Sequence, residues 1–239
     1  MTAPPAAEIE VVLFDIDGTL ISTGGASDRA WRRAFSQLHG VAVEVSDYTG
    51  KGVTDPVVGL ISFRGALGRE PAPEEIRRLM ALRLHYLPEE VAGSDGYRVM
   101  DGAEALLRRL RDDGLMVGLI TGNVEEAARI KLARGGLDHW FSFGAYGSDA
   151  DERVDVARVA LERADRLAGK RVDRDACIAV GDTPRDVEAA HGVGIRVVGV
   201  ATGSYDVEAL RQAGADYAIA SLREWTLHQR SLLGEGRDS

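Results

Sequence analysis

The stretch VVLFDIDGTL, from Val11 to Leu20, decides the fold and places two acidic residues at a strand end. Residues 11–14 are apolar and partly β-branched, which predicts a buried strand of a parallel sheet. Asp15 and Asp17 follow that strand two residues apart, so in an extended chain their side chains point the same way. Open parallel sheets bind ligands at this end of their strands. A turn closed by an aspartate side chain is the alternative interpretation.

Strand and helix patterns alternate through the second half of the chain. Apolar runs predict strands, and periodic apolar positions predict helices between them. The predicted strands cover residues 115–121, 177–182, 195–203 and 216–220, and the predicted helices cover residues 103–110 and 154–168. This alternation predicts an α/β fold, with a Rossmann-like open parallel sheet and helices on both faces.

Residues 22–92 interrupt the alternation, and we call them the helical insert. Their apolar periodicity is helical throughout, which predicts helices at residues 27–39, 55–67 and 73–87. The flanks STGG and AGSDG are small and flexible, as expected of two linkers between domains. The predicted organisation is a core domain of residues 1–21 and 93–239, with the helical insert as a second domain. The C-terminal GEGRDS is expected to fray.

Composition narrows the possible partners. The 239 residues are 45% hydrophobic and 28% charged, as in ordinary globular proteins. The net charge of −9 argues against nucleic acid, because phosphate backbones require clustered Lys and Arg. No apolar run is long enough to cross a bilayer and the N-terminus lacks signal-peptide features, so we expect a cytoplasmic protein with no membrane contact. The single cysteine, Cys177, lies in an apolar run and needs no function. The sequence leaves monomer and dimer open.

A second polar stretch, TGN at residues 121–123, follows a predicted strand. Asn123 is expected to cap the next helix, with Glu126 completing a capping box. This explanation leaves Thr121 without a role. A hydroxyl beside free backbone N–H groups at a helix start forms an anion site, so Thr121, Gly122 and Asn123 are candidates for phosphate binding.

A third polar stretch, GDTPRD at residues 181–186, follows the strand predicted at residues 177–182. Thr183, Pro184 and Asp186 form a favourable helix start, with Thr183 as the capping residue. Asp182 is not needed for that helix and stands at the end of its strand. It therefore becomes a candidate functional residue.

Three carboxylates, those of Asp15, Asp17 and Asp182, are expected to meet at one edge of the sheet. They would repel one another strongly unless a cation joined them. An oxygen-rich site of this kind favours Mg²⁺. A helix-loop-helix calcium site fits poorly because Gly18 comes too early, and the scattered histidines do not suggest zinc.

The three stretches, in this order, resemble the motifs of the haloacid dehalogenase superfamily of phosphatases. DIDGT at residues 15–19 matches the first motif, Thr121 the second and GDTPRD the fourth. The helical insert resembles the small helical cap, of the C1 type, found in phosphoglycolate-phosphatase-like members. The resemblance covers essentially the whole chain. It implies a Mg²⁺-dependent phosphatase for a small phosphorylated metabolite, either phosphoglycolate-like or a sugar phosphate.

Site roles follow from the resemblance. It implies that Asp15 is the nucleophile that forms an aspartyl-phosphate, and that Asp17 is the general acid and base. The carboxylates of Asp15 and Asp182 and the main-chain carbonyl of Asp17 would bind Mg²⁺, with Asp186 supporting the metal shell. Thr121 and nearby N–H groups would hold phosphate oxygens.

One motif departs from the family pattern. The third motif usually supplies a lysine, and residues 147–164 contain none. Arg153 is the candidate replacement, although its planar fork differs from an ammonium; Arg158, a turn further along, is the less favoured candidate, and a solvated helix charge is the alternative. In the helical insert, the stretch TGKGVTDPV places Lys51 before a helix capped by Thr54 or Asp55. Lys51 is a candidate substrate contact, and a plain surface loop is again the alternative.

Other functions remain open at this stage. A sugar-phosphate mutase keeps both carboxylates, and a pyrophosphatase uses the same fold. A dehalogenase is disfavoured by Asp17, since that chemistry has no leaving alcohol to protonate. A signalling receiver module is half this length and has no insert, and a non-catalytic binder of phosphorylated ligands is the remaining alternative.

Overall fold

The computed structural model describes residues 9–225. Its strands are β1 (Val11–Phe14), β2 (Ile21–Ser22), β3 (Arg98–Val99), β4 (Met116–Ile120), β5 (Phe143–Ala145), β6 (Cys177–Gly181), β7 (Arg196–Val200) and β8 (Tyr217–Ile219). Its helices are α1 (Ala26–His39), α2 (Asp55–Leu67), α3 (Pro73–Ala92), α4 (Ala103–Asp112), α5 (Glu125–Arg134), α6 (Arg153–Ala168), α7 (Pro184–Gly192) and α8 (Val207–Gln212). Six strands form a parallel sheet in the order β5–β4–β1–β6–β7–β8, while β2 and β3 form an antiparallel ribbon.

The sheet has a hydrophobic core on each face, and β1 lies between them. Val12 and Phe14 pack into a cluster that includes residues of α4 and α5. Val11 and Leu13 pack into the opposite cluster, with residues of α6 and α7. All four side chains of β1 are fully buried, which explains why its sequence is a continuous apolar run rather than an alternating one. The predicted α/β fold is confirmed.

The predicted core elements occur close to their expected bounds, including the weak strand near residue 217. Three strands, β2, β3 and β5, have no predicted counterpart. They are two or three residues long, which is too short for an apolar period to be visible.

The helical insert contains the three expected helices, and its own core includes Trp31, Phe35 and Phe63. The predicted end of the third helix at residue 87 is wrong, because α3 continues through Pro88 to Ala92. Proline costs one backbone hydrogen bond, but Leu87 and Val91 keep the apolar face buried. In the same final turns, Glu90 pairs with two arginines of α1.

The exact boundaries of the helical insert stay a prediction. The ribbon of β2 and β3 joins the two ends of this segment, pairing Ile21 with Val99. No helix within residues 9–225 is long and apolar enough to cross a bilayer. The expectations for the N-terminal segment and for the fraying tail lie outside the described residues.

Candidate active site

Parallel pairing brings three polar segments to one edge of the sheet. Because β1 lies between β4 and β6, the residues that follow these strands, Asp15, Thr121 and Asp182, are neighbours. They border a cleft of about 660 Å³ between the sheet and the helical insert. Eight of the nine predicted site residues line this cleft: Asp15, Asp17, Lys51, Thr121, Gly122, Asn123, Arg153 and Asp182. The ninth, Asp186, lies buried behind them.

The acidic cluster consists of Asp15, Asp182 and Asp186, whose carboxylate oxygens lie within 4.8 Å of one another. Burial, together with the negative charges of Asp186 and Asp15, raises the pKa of Asp182 well above its ordinary value. Burial also raises the pKa of Asp15, although the charge of Arg153 opposes the shift. Three such groups are a suitable donor set for a hard divalent cation.

Two glycines make room for the Asp182 carboxylate. A Cβ at Gly18 would lie 2.3 Å from Asp182 Oδ2, and one at Gly203 would lie 1.8 Å from it. Gly18 also has a φ of +87°, which disfavours other residues. Gly18 of the first motif is thus required both by the backbone conformation of the turn and by the space that the Asp182 carboxylate occupies.

Arg153 lies at the start of α6, with its guanidinium inside the cluster. Its Nη2 atom is 2.7 Å from Asp15 Oδ1 and also donates to Asp186 Oδ1. The side chain is only 7% exposed, so this is a buried ion-pair network rather than a solvated helix charge. Burial lowers the pKa of Arg153, but the attraction of the two carboxylates outweighs it and the pKa is raised. Arg158 instead pairs with Asp155 at the surface.

Asp186 anchors this network. Its Oδ2 accepts hydrogen bonds from Thr183 N at 3.0 Å and Thr183 Oγ1 at 2.8 Å. Thr183 caps α7, whose first residue is Pro184, as the sequence predicts. Both Asp186 oxygens are therefore engaged by protein donors, which suits a residue that holds Arg153 in place.

The expected capping role of Asn123 is wrong. The residue before α5 is Val124, which makes no side-chain capping bond. Asn123 instead points into the site, where Nδ2 donates to Asp17 Oδ2 at 2.7 Å and to Thr121 Oγ1 at 2.9 Å. The Asn123 Oδ1 atom, which would accept a capping N–H, instead accepts from the charged Nζ of Lys131 at 2.6 Å, and a charged donor forms the stronger hydrogen bond.

Lys131 of α5 is a site residue that the sequence analysis misses. Its Nζ donates to Asp17 Oδ2 at 2.7 Å and to Asn123 Oδ1 at 2.6 Å. Burial tends to raise the pKa of Asp17, but the charge and hydrogen bond of Lys131 lower it below the ordinary value. The sequence does carry a signal, since Val124, Ala127 and Ala128 begin an apolar stripe whose next position is Lys131.

A second buried ion pair lies within the helical insert, where the insert contacts the site. Arg83 of α3 is fully buried, and its Nη1 lies 2.9 Å from Asp55 Oδ2. The same oxygen accepts a hydrogen bond from Val124 N at 2.9 Å, and Asp55 N donates to Gly122 O at 2.7 Å. The predicted capping of α2 by Thr54 or Asp55 side chains is wrong, because Thr54 Oγ1 donates to Asp151 O. These polar groups hold the insert against the core.

Two further cations border the cleft without an ion pair recorded among residues 9–225. Lys51 lies in the loop before α2, and Arg98 lies on β3. Both side chains belong to exposed residues. They place two basic side chains on the side of the cleft formed by the insert and the ribbon, which also carries Asp28 and Asp55.

Asp182→Asn is expected to stabilise the metal-free protein by about 1–2 kcal/mol at pH 8, a rise in Tm of about 2–8 °C. The folded pKa of Asp182 exceeds its unfolded value of 3.8, so its ionisation costs stability as the pH rises toward about 8. The variant lacks this cost, so the gain should shrink toward pH 4. Thermal melts in a chelator at several pH values measure it, and an unchanged or lower Tm at pH 8 would contradict the prediction.

Added Mg²⁺ provides the matching control. Wild-type protein should gain thermal stability with Mg²⁺, since a ligand that binds only the folded state stabilises it, and Asp182→Asn should gain much less. Equal gains would show that Asp182 is not a ligand.

The chain is similar in sequence and in fold to known hydrolases. The sequence profile described as haloacid dehalogenase-like hydrolase matches residues 9–194. A phosphoglycolate phosphatase of Rhodospirillum rubrum is 30% identical over 226 residues, covering 90% of each chain. The structure of a predicted phosphatase from Clostridium acetobutylicum superposes with a TM-score of 0.70 at 26% identity, covering 95% of this chain and 99% of that one. A predicted phosphoglycolate phosphatase from Haemophilus somnus gives a TM-score of 0.75 at 20% identity, covering 93% and 99%.

Proposed function

Because the chain belongs to the haloacid dehalogenase-like hydrolases, we propose that it is a Mg²⁺-dependent phosphatase for a small phosphorylated metabolite. One observation carries the proposal. Asp15 and Asp17 face the same cleft as Thr121 and Arg153, at the edge of a parallel sheet. This arrangement provides a nucleophile, a proton donor, a hydroxyl and a cation around the space for one phosphoryl group.

Asp15 is the nucleophile in this mechanism. One of its carboxylate oxygens forms a bond to phosphorus while the bond from phosphorus to the leaving oxygen breaks, which gives an aspartyl-phosphate. Asp17 donates a proton to the departing alcohol and then takes one from the water that hydrolyses the intermediate. Arg153 neutralises charge on Asp15 and on the phosphoryl oxygens, in place of the lysine usual at the third motif.

The segment from Thr121 to Asn123 would bind the phosphoryl oxygens. The Thr121 hydroxyl accepts from Asn123, so its own hydrogen remains free to donate. Gly122 lets the backbone approach closely, because a Cβ there would lie 2.7 Å from Val53 O and 3.1 Å from Arg153 Nη1. Any larger residue would therefore disturb both the insert and the cation.

The acidic cluster fits Mg²⁺. Asp15 and Asp182 offer carboxylate oxygens, and Asp186 borders them. Burial and the charges of Asp186 and Asp15 raise the pKa of Asp182, so a bound cation would favour its ionised form. When bound, Mg²⁺ supplies neutralisation of charge on the phosphoryl group.

The substrate class follows from the charges along the cleft. Lys51 and Arg98 line the same cleft, and neither has an acidic partner within residues 9–225. A phosphorylated metabolite with a second anionic or hydroxyl-rich group complements them, as phosphoglycolate or a sugar phosphate would. The overall charge of −9 makes a macromolecular polyanion a poor partner.

A phosphate-release screen across small phosphomonoesters, with Mg²⁺ or with a chelator, tests the proposal. We expect release from a subset of these compounds, strictly dependent on Mg²⁺. Absence of release from the whole panel would contradict a phosphatase. Isomerised sugar phosphate without net phosphate release would identify a mutase, and activity restricted to inorganic pyrophosphate would identify a pyrophosphatase.

A further inference from the structure

Lys131 is an unusual residue for its position on α5. Its neighbours on the buried stripe, Ala127, Ala128 and Leu132, pack into apolar clusters. The Lys131 side chain is 3% exposed, and a buried ammonium is unfavourable unless it is fully partnered. An apolar side chain of similar length would satisfy the packing alone.

Within residues 9–225, the partners of the ammonium are both site residues. Asp17 Oδ2 lies 2.7 Å and Asn123 Oδ1 lies 2.6 Å from Nζ. The other recorded polar contact, from Tyr97 to the Lys131 main-chain oxygen, does not involve the side chain. The charge of Lys131 therefore stabilises the positions of the Asp17 and Asn123 side chains rather than the packing of α5.

The two oxygens of Asp17 are not equivalent. Oδ2 accepts from Lys131 Nζ and from Asn123 Nδ2, each at 2.7 Å. Oδ1 has no hydrogen-bond partner recorded among residues 9–225, and the side chain is 39% exposed toward the cleft. Since the donors hold Oδ2 in place, Oδ1 is the oxygen left to exchange a proton with a substrate.

We propose that Lys131 is a positioning residue that clamps Asp17 Oδ2 and thereby presents Oδ1 to the leaving group. The inference rests on the proposed function, because it assigns an atom to the proton transfer of that mechanism. Asp17 enters this step protonated on Oδ1, and as the bond between phosphorus and the alcohol oxygen breaks, that oxygen takes the proton. In hydrolysis Oδ1 takes a proton from water, whose oxygen bonds to phosphorus as Asp15 departs. Lys131 keeps its own protons throughout.

Asn123 links Asp17 to Thr121, the residue proposed to bind phosphate. The same amide group that donates to Asp17 Oδ2 also donates to Thr121 Oγ1. Lys131 fixes the orientation of that amide by donating to its oxygen. The proton donor and the phosphate-binding hydroxyl are thus held in one hydrogen-bonded unit anchored on α5.

Dependence on the leaving group tests the inference. A positioned proton donor matters for alkyl phosphates, whose alkoxide is a poor leaving group, and little for 4-nitrophenyl phosphate, whose phenolate leaves unaided. We expect Lys131→Met to lower kcat/KM by about 10²–10³-fold for an alkyl phosphate that the wild type hydrolyses, and by under about 5-fold for 4-nitrophenyl phosphate. Lys131→Arg should restore part of the alkyl activity.

Matched controls keep the test decisive. Lys170→Met removes an exposed lysine that pairs with Glu10 and should leave both activities unchanged. Lys131→Gln replaces the ammonium by a neutral donor. It is measured in place of Lys131→Met if that variant does not fold. Equal losses for both substrates would overturn the inference in favour of a purely structural role, and so would unchanged alkyl activity. A wrong proposed function gives a different result from a wrong role for Lys131, because the wild-type protein would then hydrolyse neither substrate.

Discussion

Asp15→Asn is expected to lower phosphatase activity by at least about 10⁴-fold while leaving the fold intact. An amide cannot serve as the nucleophile, so no aspartyl-phosphate forms. The substitution keeps the size of a side chain that is only 9% exposed, and it removes one of three mutually repelling carboxylates. Steady-state kinetics on the best substrate, with circular dichroism for the fold, measure both effects. Activity equal to wild type would overturn the mechanism.

Two further variants make that experiment more decisive: a matched control and a variant that should accumulate the intermediate. Asp47→Asn makes the same chemical change at an exposed position of the helical insert and should leave activity unchanged. With 4-nitrophenyl phosphate, whose leaving group needs no proton, Asp17→Asn keeps the nucleophile but lacks the base that activates water, so it should accumulate the intermediate. Intact-mass spectrometry after brief exposure to substrate and Mg²⁺ should then detect one added phosphoryl group, which must be absent from the Asp15→Asn protein.

Arg153→Met is expected to destabilise the metal-free protein by about 3–5 kcal/mol at pH 8, because it leaves buried carboxylates without their cation. Arg153 contacts both Asp15 and Asp186. Its loss moves the pKa of Asp15 further above the unfolded value, and a raised folded pKa costs stability as the pH rises. The deficit should therefore shrink toward pH 4. Urea unfolding at several pH values measures it.

Arg158→Met is the matched control for that variant. Arg158 lies on the same helix, pairs with Asp155 at the surface and should change stability by under about 0.5 kcal/mol. Arg153→Lys should retain much of the stability, since it keeps a cation in the cluster. A small, pH-independent effect of Arg153→Met would show that the guanidinium does not balance the acidic cluster.

Sequence patterns predict the sheet and its functional edge well, because both depend on local signals. A continuous apolar run such as Val11–Phe14 has few alternatives to a buried parallel strand, and parallel strands present their carboxyl ends together. Arg153 becomes a candidate only through the family resemblance, as the cation nearest the expected third motif. The structure adds that its guanidinium is buried against Asp15, while its catalytic role stays a proposal.

The contacts that the sequence does not predict are those that cross between elements. Asn123 has a good local reason to cap α5, and only the distant Asp17 and Lys131 explain why it does not. The hydrogen bond from Val124 N to Asp55 Oδ2 of the insert likewise has no signal in the local sequence. A charged residue on an apolar stripe, as at Lys131, is the one local hint of such a contact.

The ribbon of β2 and β3 has a consequence for folding kinetics. Strand β1 is synthesised early, yet its neighbour β4 follows roughly 100 residues later, which gives the sheet a high contact order and favours slow folding. Helices form their contacts locally and quickly, so the insert can fold first and bring β2 and β3 together. Closing an unfolded loop of that length costs about 2 kcal/mol more than closing a short turn. Folding of the insert before the sheet would therefore bring the two sequence-distant parts of the sheet together at a lower entropic cost.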